Sequence, residues 1–156
     1  MEETVEGLLR GSRFKQLREC EFSEIRDYYG LKRIEIEILY FLSNAGDNNT
    51  SADICQRLNA NKGHISQAVD NLCKRNYLIA VPDTSDRRYV HYSVSEESKE
   101  IVSKITKKWN EWNRELFRGI TPQEMEELRR IAGKIGENMD RIISQQEKKN
   151  RSIKKE

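Results

Sequence analysis

The sequence is poor in the residues that mark several classes of protein. Its 156 residues include only three cysteines, two histidines and two prolines. The cysteines, Cys20, Cys55 and Cys73, form no C-x-x-C pair, so we expect free thiols in a cytoplasmic protein rather than disulfides or a zinc site. No apolar run approaches the roughly 18 residues that a membrane span needs. Residues 1–6 are acidic and lack the features of a secretory signal.

Sequence motifs of enzymes are also missing. There is no glycine-rich phosphate loop, no nucleophile elbow and no His/Cys cluster that would hold a metal. Adjacent acidic pairs such as Glu96/Glu97 fall on predicted helices, where neighbouring side chains point in different directions and do not form an acid/base pair. We therefore expect no enzyme activity, no catalytic residue, no metal and no cofactor.

Charged residues are abundant, at 35% of the chain, and nearly equal the 36% of apolar residues. This balance favours long helices with solvated faces over a compact sandwich of sheets. The net charge of +2 does not by itself indicate a nucleic-acid partner. The placement of the charges has to decide that question.

Helical periodicity dominates the chain. The first 45 residues contain two helical patterns, which are separated at Gly30, and the early pattern includes Leu8, Leu9 and Phe14. Capping boxes at residues 50–53 and 121–124 predict two further helix starts. For the short helix after the first box, we expect an apolar face that consists of Ala52, Cys55 and Leu58.

The middle of the chain changes from helical to strand periodicity. Asn61 is a predicted N-cap for a helix that Asn76 is expected to end, since Asn tolerates the left-handed C-terminal position. The predicted buried stripe of this helix is Ile65, Ala68, Val69 and Leu72. Two β-prone stretches, residues 77–81 and 89–94, flank a polar loop and predict a hairpin. Ser95 is expected to cap the next long helix, which carries Trp109 and Trp112. The predicted fold class is therefore mainly α with one small β-hairpin.

Two short helices joined by a three-residue break form a helix-turn-helix, and a charged hairpin directly after it forms a wing. The second helix of such a pair can enter the major groove of DNA. Gln67 and Asn71, four residues apart, can each read adenine, and Lys62 at the positive helix end suits a phosphate. The alternative is the ordinary polar face of an amphipathic helix. The candidate DNA contacts off the buried stripe are Lys62, Gly63, His64, Ser66, Gln67 and Asn71.

The hairpin carries the most specific motif of the chain. Asp86-Arg87-Arg88, followed by five residues and Val94-Ser95, resembles the wing motif D-x-R-x5-L-T of the MarR family. The preceding stretch, residues 72–79, resembles L-x-K-x-G-x-[VL]-[IV], with Asn76 in place of the usual glycine. On these motifs, residues 31–143 resemble the MarR family of winged helix-turn-helix regulators.

This resemblance implies a homodimeric transcriptional repressor that binds a palindromic operator in double-stranded DNA. Arg88 is then the arginine that enters the minor groove, Asp86 fixes its geometry, and Arg87 contacts phosphate. A narrow, A·T-rich minor groove attracts arginine, whereas a solvated turn is the alternative interpretation of these residues. The implied domains are an N-terminal dimerisation region (1–30), the winged helix-turn-helix lobe (31–94), C-terminal dimerisation helices (95–146) and a basic, disordered tail (147–156).

The aromatic residues predict a further site. We expect them to converge where the dimerisation region meets the lobe, and the resemblance implies that a small aromatic effector binds there and releases DNA. The alternative is that the rings pack a dimer interface, because Trp109 and Trp112 have no obvious partner within the chain. The candidate effector residues are Tyr28, Tyr29, Tyr40, Trp109 and Trp112.

A second functional interpretation remains open from the sequence. Some winged helices bind a protein or RNA without any operator specificity, because a fold does not determine a function. A protein-binding face is expected to carry aromatic or Met anchors. The candidate residues of the second helix include none, which favours DNA. The three cysteines are expected to be small core or surface residues rather than redox sensors.

Overall fold

The computed structural model describes residues 16–17, 20 and 22–153, with side chains up to residue 147. The early apolar pattern at Leu8, Leu9 and Phe14 lies outside the described residues. The prediction of a mainly helical fold with one hairpin is confirmed. In chain order, the described elements are α1 (Ser23–Tyr29), α2 (Arg33–Leu42), α3 (Ser51–Leu58), α4 (Lys62–Lys74), β1 (Leu78–Pro82), β2 (Val90–Val94), α5 (Lys99–Leu116) and α6 (Pro122–Ile153).

The chain divides into two compact units, one up to Arg114 and one from Glu115 onward. The core of the first unit lies between α2, α3, α4 and the first half of α5. Branched aliphatic side chains fill it, and burial of such side chains is the main favourable contribution to folding. The fully buried apolar residues with the largest side chains are Ile36, Ile38, Leu39, Ile54, Ile65, Leu72, Ile101 and Ile105.

Helix α4 begins and ends where its sequence predicts. The Asn61 side chain accepts a hydrogen bond from the backbone N–H of His64 at 2.9 Å, so it caps the helix. The predicted stripe is confirmed, because Ile65, Ala68, Val69 and Leu72 are all at most 3% exposed. Beyond the helix, Asn76 adopts a left-handed conformation with φ of 57°. This position often holds glycine, and Asn tolerates it better than most residues.

Helix α3 begins at the predicted capping box but presents a different face to the core. The backbone N–H of Thr50 donates to Oδ2 of Asp53 at 2.8 Å, and the Thr50 hydroxyl accepts from the N–H of Asp53. Ile54 is the fully buried residue, whereas Ala52 is exposed. The prediction is therefore wrong for Ala52, whereas the other two predicted residues are partly buried against the core. Isoleucine buries far more apolar area than alanine, and its burial determines how the helix is rotated.

The hairpin pairs β1 with β2 in an antiparallel register that places Leu78 opposite Val94. A short extended segment before α3 also pairs with β2, because Thr50 forms an isolated bridge with His91. The backbone N–H of Tyr92 donates to the carbonyl of Asn49 at 3.0 Å. The hairpin is therefore connected by backbone hydrogen bonds to the N-terminal end of α3.

Helix α5 begins later than the sequence predicts. Its first residue is Lys99, although Ser95 was the expected cap. Ser95 is buried, and its hydroxyl accepts from the N–H of Ser98 at 3.2 Å and donates to the carbonyl of Asn76 at 2.6 Å. Ser95 thus stabilises the turn that precedes the helix and connects it to the end of α4.

Arg75, directly after α4, connects that helix to the end of α1. Its guanidinium donates to the carbonyls of Tyr29 at 2.5 Å and Gly30 at 3.1 Å. It also lies over the ring of Tyr77, 4.7 Å from the centroid. Gly30 ends α1 with φ of 60°, a conformation that glycine adopts without strain.

In the second unit, α6 begins at the predicted capping box of Thr121 and Glu124. It differs from the prediction at its far end, because the helix continues to Ile153 through residues expected to be a disordered tail. No helix among the described residues is long and apolar enough to cross a bilayer. The exposed apolar residues of α6 are Leu128, Ile131, Met139, Ile142 and Ile143.

Candidate nucleic-acid interface

The N-terminal half of α4 presents a polar surface. Five of the six predicted contact residues on this helix are exposed, and the buried stripe of α4 faces the core behind them. The free N–H groups at the start of a helix favour an anion such as phosphate. The five exposed residues are Lys62, Gly63, His64, Ser66 and Gln67.

The ring of His64 is held by the residue that caps the helix. Oδ1 of Asn61 accepts from the backbone N–H of His64, so its amide NH₂ faces Nδ1 of the His64 ring at 3.0 Å. Nδ1 is then an acceptor, and in the neutral ring the proton lies on Nε2. The exposed His64 therefore offers an Nε2–H donor to a partner.

Asn71 differs from the other predicted contacts. It is half-buried, and its side-chain NH₂ lies 3.4 Å from Oε1 of Glu35, a carboxylate that is only 3% exposed. The other carboxylate oxygen of Glu35 accepts from the backbone N–H of Lys32 at 2.7 Å, at the start of α2. The structure thus places Asn71 against α2 and does not bring it together with Gln67 on the exposed surface.

At the tip of the hairpin, Asp86 holds Arg88 in a bidentate arrangement. Nε of Arg88 lies 3.0 Å from Oδ1 of Asp86, and its Nη2 lies 2.6 Å from Oδ2. The hydrogen bonds from Arg88 lower the pKa of the Asp86 carboxyl. The Arg88 side chain is nevertheless 86% exposed. The guanidinium is oriented by its carboxylate while it faces solvent, and Arg87 on the same turn is exposed too.

A second carboxylate orders the loop itself. Oδ1 of Asp83 accepts hydrogen bonds from the backbone N–H groups of Ser85 and Asp86, at 2.7 and 2.8 Å, and from the Ser85 hydroxyl. The Ser85 hydroxyl bond, the two backbone bonds and a bond to His91 together lower the pKa of Asp83 well below 3.8. This arrangement is an Asx-turn, in which a side chain replaces a backbone acceptor.

Sequence reasoning missed three exposed apolar residues on the hairpin. Ile79 is 49% exposed, and Val81 and Tyr89 are each 53% exposed. Ile79 and Val81 are two residues apart on β1 and therefore lie on one face of the strand. The sequence could have indicated this surface, because the two-residue spacing of Ile79 and Val81 predicts an apolar strand face.

The predicted aromatic residues form two clusters rather than one. In the first, Trp109 stacks with Trp112 at 4.9 Å between centroids and lies 5.5 Å from Tyr40. Phe22 stacks on Trp109 at 5.8 Å, so the expectation that Trp109 lacks a partner within the chain is wrong. A cavity of about 460 Å³ beside this cluster is lined by Phe22, Ile36, Glu37, Tyr40, Phe41, Asn44, Arg57, Leu58, Ile105 and Trp109.

The second cluster joins α1 to α5. Tyr28 and Tyr29 pack edge to face at 4.8 Å, and Lys104 donates to the Tyr29 hydroxyl at 2.7 Å and to Glu100 at 2.8 Å. Glu100, followed by Tyr29, raises the pKa of the Lys104 ammonium by accepting its hydrogen bonds. The lysine is thereby engaged by groups of its own chain. Tyr28 and Tyr29 do not line the cavity beside Trp109.

The three cysteines form no disulfide in the described residues. Cys20 is exposed, while Cys55 and Cys73 are half-buried, and all three are free thiols. Burial, with a smaller contribution from the charge of Asp70, raises the pKa of the Cys73 thiol. A raised pKa disfavours the nucleophilic thiolate. No group of three or more His, Cys, Asp or Glu in the described ranges is arranged to hold a metal ion.

Comparisons with known proteins agree with this geometry. Residues 31–98, from the start of α2 through the hairpin, match the family model of the winged helix DNA-binding domain. The Staphylococcus aureus MepR–DNA complex superposes with a TM-score of 0.73 at 16% identity, and covers 87% of this chain and 96% of that chain. The chain has the winged-helix fold of the MarR-type regulators. In this fold, α3 and α4 are the helix-turn-helix and the hairpin is the wing.

Two other solved structures support the same fold. A MarR transcriptional regulator from Methanosarcina mazei Go1 gives a TM-score of 0.69 at 20% identity, with 85% of this chain and 95% of that chain covered. Streptococcus pneumoniae FabT in complex with DNA gives 0.67 at 15% identity, with 86% and 94% covered. No curated protein sequence matches the chain. The expectation of a non-enzymatic protein agrees with the match to a DNA-binding domain.

The stability of the ordered wing tip is expected to depend on pH. Hydrogen bonds lower the pKa of Asp83 and Asp86 below 3.8 in the folded protein. Their contribution to stability is therefore fully present above about pH 4 and is lost as the pH falls through the lowered values. Ser85→Ala removes the largest cause of the Asp83 shift, so we expect the pKa of that carboxyl to rise toward 3.8 in a ¹³C NMR titration.

Ser93→Ala is the control for that titration, since Ser93 is exposed on β2 and lies opposite Ile79 in the hairpin. An unchanged Asp83 titration in Ser85→Ala would show that the Ser85 hydroxyl bond does not lower the pKa of Asp83.

Proposed function

We propose that the protein is a sequence-specific, double-stranded-DNA-binding transcriptional repressor that binds a palindromic operator as a homodimer. One observation carries the proposal: an exposed polar helix face stands next to a wing whose arginine is oriented by Asp86 while it remains open to solvent. The match of residues 31–98 to a DNA-binding domain supports it. So do the descriptions of the MepR and FabT structures, each of which is a complex with DNA.

In the proposed complex, the N-terminal half of α4 lies in the major groove. Gln67 donates to and accepts from a base edge, since an amide matches the N6 and N7 positions of adenine. Lys62, His64 and Ser66 lie closer to the helix start and contact phosphates or neighbouring base edges. Asn71 is left out of this set because it is engaged with Glu35.

The wing contacts the adjacent minor groove. A narrow groove concentrates negative potential, which favours an inserted guanidinium over bulk solvent. Arg88 enters the groove with its orientation already set by Asp86, so less side-chain entropy is lost on binding. Arg87 contacts a phosphate.

The local charge balance suggests that binding depends on geometry rather than on bulk attraction. Residues 62–88 contain five basic and three acidic side chains. One of the five, Arg75, is already bonded to backbone carbonyls at the end of α1. The surplus of positive charge is small, so non-specific binding to phosphate is expected to be weak at physiological salt.

Two substitutions separate the two DNA-reading elements. Gln67→Ala should lose about 1–3 kcal/mol on the preferred duplex and little on random DNA, because it removes a base contact. Arg88→Ala should weaken binding and lower the slope of log K against log salt by about one unit for each wing of the dimer. Binding is measured by fluorescence anisotropy, on a duplex selected with the wild-type protein from a random-sequence pool.

Matched controls are available on α6. Gln123→Ala and Arg129→Ala make the same changes at exposed sites of that helix and should leave binding unchanged. Asp86→Ala should resemble a weaker form of Arg88→Ala, since it loosens the guanidinium without removing its charge. Equal affinity of the wild type and Arg88→Ala would contradict the role of the wing.

We propose that the second copy of the chain in the dimer covers the apolar stripe of α6. Leu128, Ile131, Met139 and Ile142 are 42–57% exposed. Ile135 lies between them, and the spacing of three and four residues is that of a helix seam. Exposed apolar stripes of this length mark interaction surfaces. Two copies of one stripe can pack together around a two-fold axis, which is the symmetry of a palindromic operator.

Ile142→Lys should therefore weaken dimerisation, because it places a charge in the apolar seam. Glu137→Lys introduces the same side chain on the opposite side of α6 and should leave the dimer intact. Sedimentation velocity at micromolar concentration distinguishes monomer from dimer. A folded wild-type monomer under these conditions would refute the dimer.

The cavity beside Trp109 supports the proposal of a small aromatic effector. Its volume of about 460 Å³ is within the range of small-molecule sites, and Tyr40, Trp109 and Arg57 line it. A ring packs against the aromatic side chains, while a carboxylate pairs with Arg57. The effector lowers DNA affinity only if it binds the DNA-free arrangement better.

Calorimetry with benzoate and phenol tests this proposal. Arg57→Ala should weaken the binding of benzoate but not of phenol, because only benzoate carries the charge that Arg57 recognises. Arg129→Ala on α6, which is not among the residues that line the cavity, is the control. No heat with either compound and no change in DNA affinity would leave the cavity as packing only.

A second candidate function is the binding of a protein rather than DNA. The exposed Ile79, Val81 and Tyr89 favour it, because protein interfaces are enriched in such anchors. The duplex selection separates the two functions. Enrichment of one sequence supports DNA recognition, and failure to enrich any sequence supports the protein-binding alternative.

A further inference from the structure

His91 on β2 lies between two oxygen atoms from different parts of the lobe. Its Nε2 is 3.1 Å from Oδ2 of Asp83 in the wing tip, and its Nδ1 is 2.5 Å from Oδ1 of Asn49 before α3. The side chains of His91 and Asp83 are 35% and 27% exposed, so water competes only partly for these bonds. The imidazole therefore bridges the wing tip and the helix-turn-helix.

The Asn49 end of this bridge is fixed by the backbone. The carbonyl of Asn49 accepts from the N–H of Tyr92, and Thr50 pairs with His91 itself. Thr50 is also the N-cap of α3, with its hydroxyl and N–H bonded to Asp53. Asn49 is thus tied both to β2 and to the first helix of the helix-turn-helix.

The Asp83 end leads directly to the arginine of the wing. While Oδ2 of Asp83 faces His91, its Oδ1 accepts from the backbone N–H of Asp86 at 2.8 Å. Asp86 then accepts from both the backbone and the guanidinium of Arg88. An unbroken series of hydrogen bonds runs from Asn49 through His91, Asp83 and Asp86 to Arg88.

We infer that His91 is a positioning residue for Arg88: it fixes the wing tip relative to the helix-turn-helix, so that the guanidinium reaches the minor groove while α4 lies in the major groove. His91 itself contacts no DNA. The inference rests on the proposed function, because it assigns the bridge a role in DNA binding.

The bridge can form in both protonation states of the ring. A neutral imidazole with its proton on Nε2 donates to Asp83 and accepts at Nδ1 from the Asn49 amide, once that amide presents its NH₂. A charged imidazolium donates to both oxygens. The positioning role therefore does not require a change of charge at His91.

The first test uses the protein without DNA. His91→Leu and Asn49→Ala each break the bridge from one side, and both should speed backbone amide exchange at Asp86 and Arg88 by about tenfold, as expected for the loss of one hydrogen bond to a charged group. Ser93→Leu is the matched control, since it introduces the same residue two positions along the same strand. Unchanged exchange in both bridge variants would overturn the inference.

The second test is a double-mutant cycle on the duplex selected from the random pool. His91→Leu should weaken binding by about tenfold and lower the salt slope in the direction of Arg88→Ala. In an Arg88→Ala background it should cost nothing further, whereas with Gln67→Ala the two losses should add. A fold that is merely destabilised would lower affinity equally in both backgrounds.

A full additional loss in the Arg88→Ala background would overturn the positioning role. If the wild-type protein enriches no duplex, the proposed function fails, and faster exchange in the bridge variants then supports a purely structural brace. Thermal melting of each variant confirms that the protein is folded at the assay temperature.

Discussion

Burial of the apolar stripe of α4 determines which face of that helix the lobe presents to solvent. Ile65 and Leu72 have no exposed surface, and they hold the helix against α2 and α3 in one rotation about its axis. Any other rotation would expose these side chains to water at a cost of about 1.5–3 kcal/mol each. The polar residues at the start of α4 face solvent as a consequence. The candidate recognition surface is therefore the face of α4 opposite its buried stripe.

Features with a local physical basis could be predicted from the sequence. The capping boxes at Thr50 and Thr121, the N-cap Asn61 and the left-handed Asn76 each depend on residues within one helical turn. The pairing of Asp86 with Arg88 spans two residues and belongs to the same class. In the three caps a short side chain supplies a hydrogen bond that the backbone lacks, and the pattern of residues is enough to indicate it.

Features that depend on distant residues could not be predicted in this way. The sequence indicated neither the contact of Asn71 with Glu35 nor the separation of the aromatic residues into two clusters, because both depend on how helices pack. The burial of Ile54 in place of Ala52 depends on the neighbours of α3 in the core. His91 had no role in any motif. Its partners come from different segments and meet only in the folded lobe.

The contact between Arg75 and the end of α1 has a consequence for the cooperativity of folding. A helix of seven residues has little stability of its own, since nucleation cost outweighs so few hydrogen bonds. At the end of α1, the carbonyls of Tyr29 and Gly30 accept hydrogen bonds from Arg75, which lies 46 and 45 residues away in the sequence. Fraying of α1 therefore removes the acceptors of Arg75, and opening of the α4 terminus removes the donors that cap α1. The two segments are expected to exchange their amides with solvent as one unit.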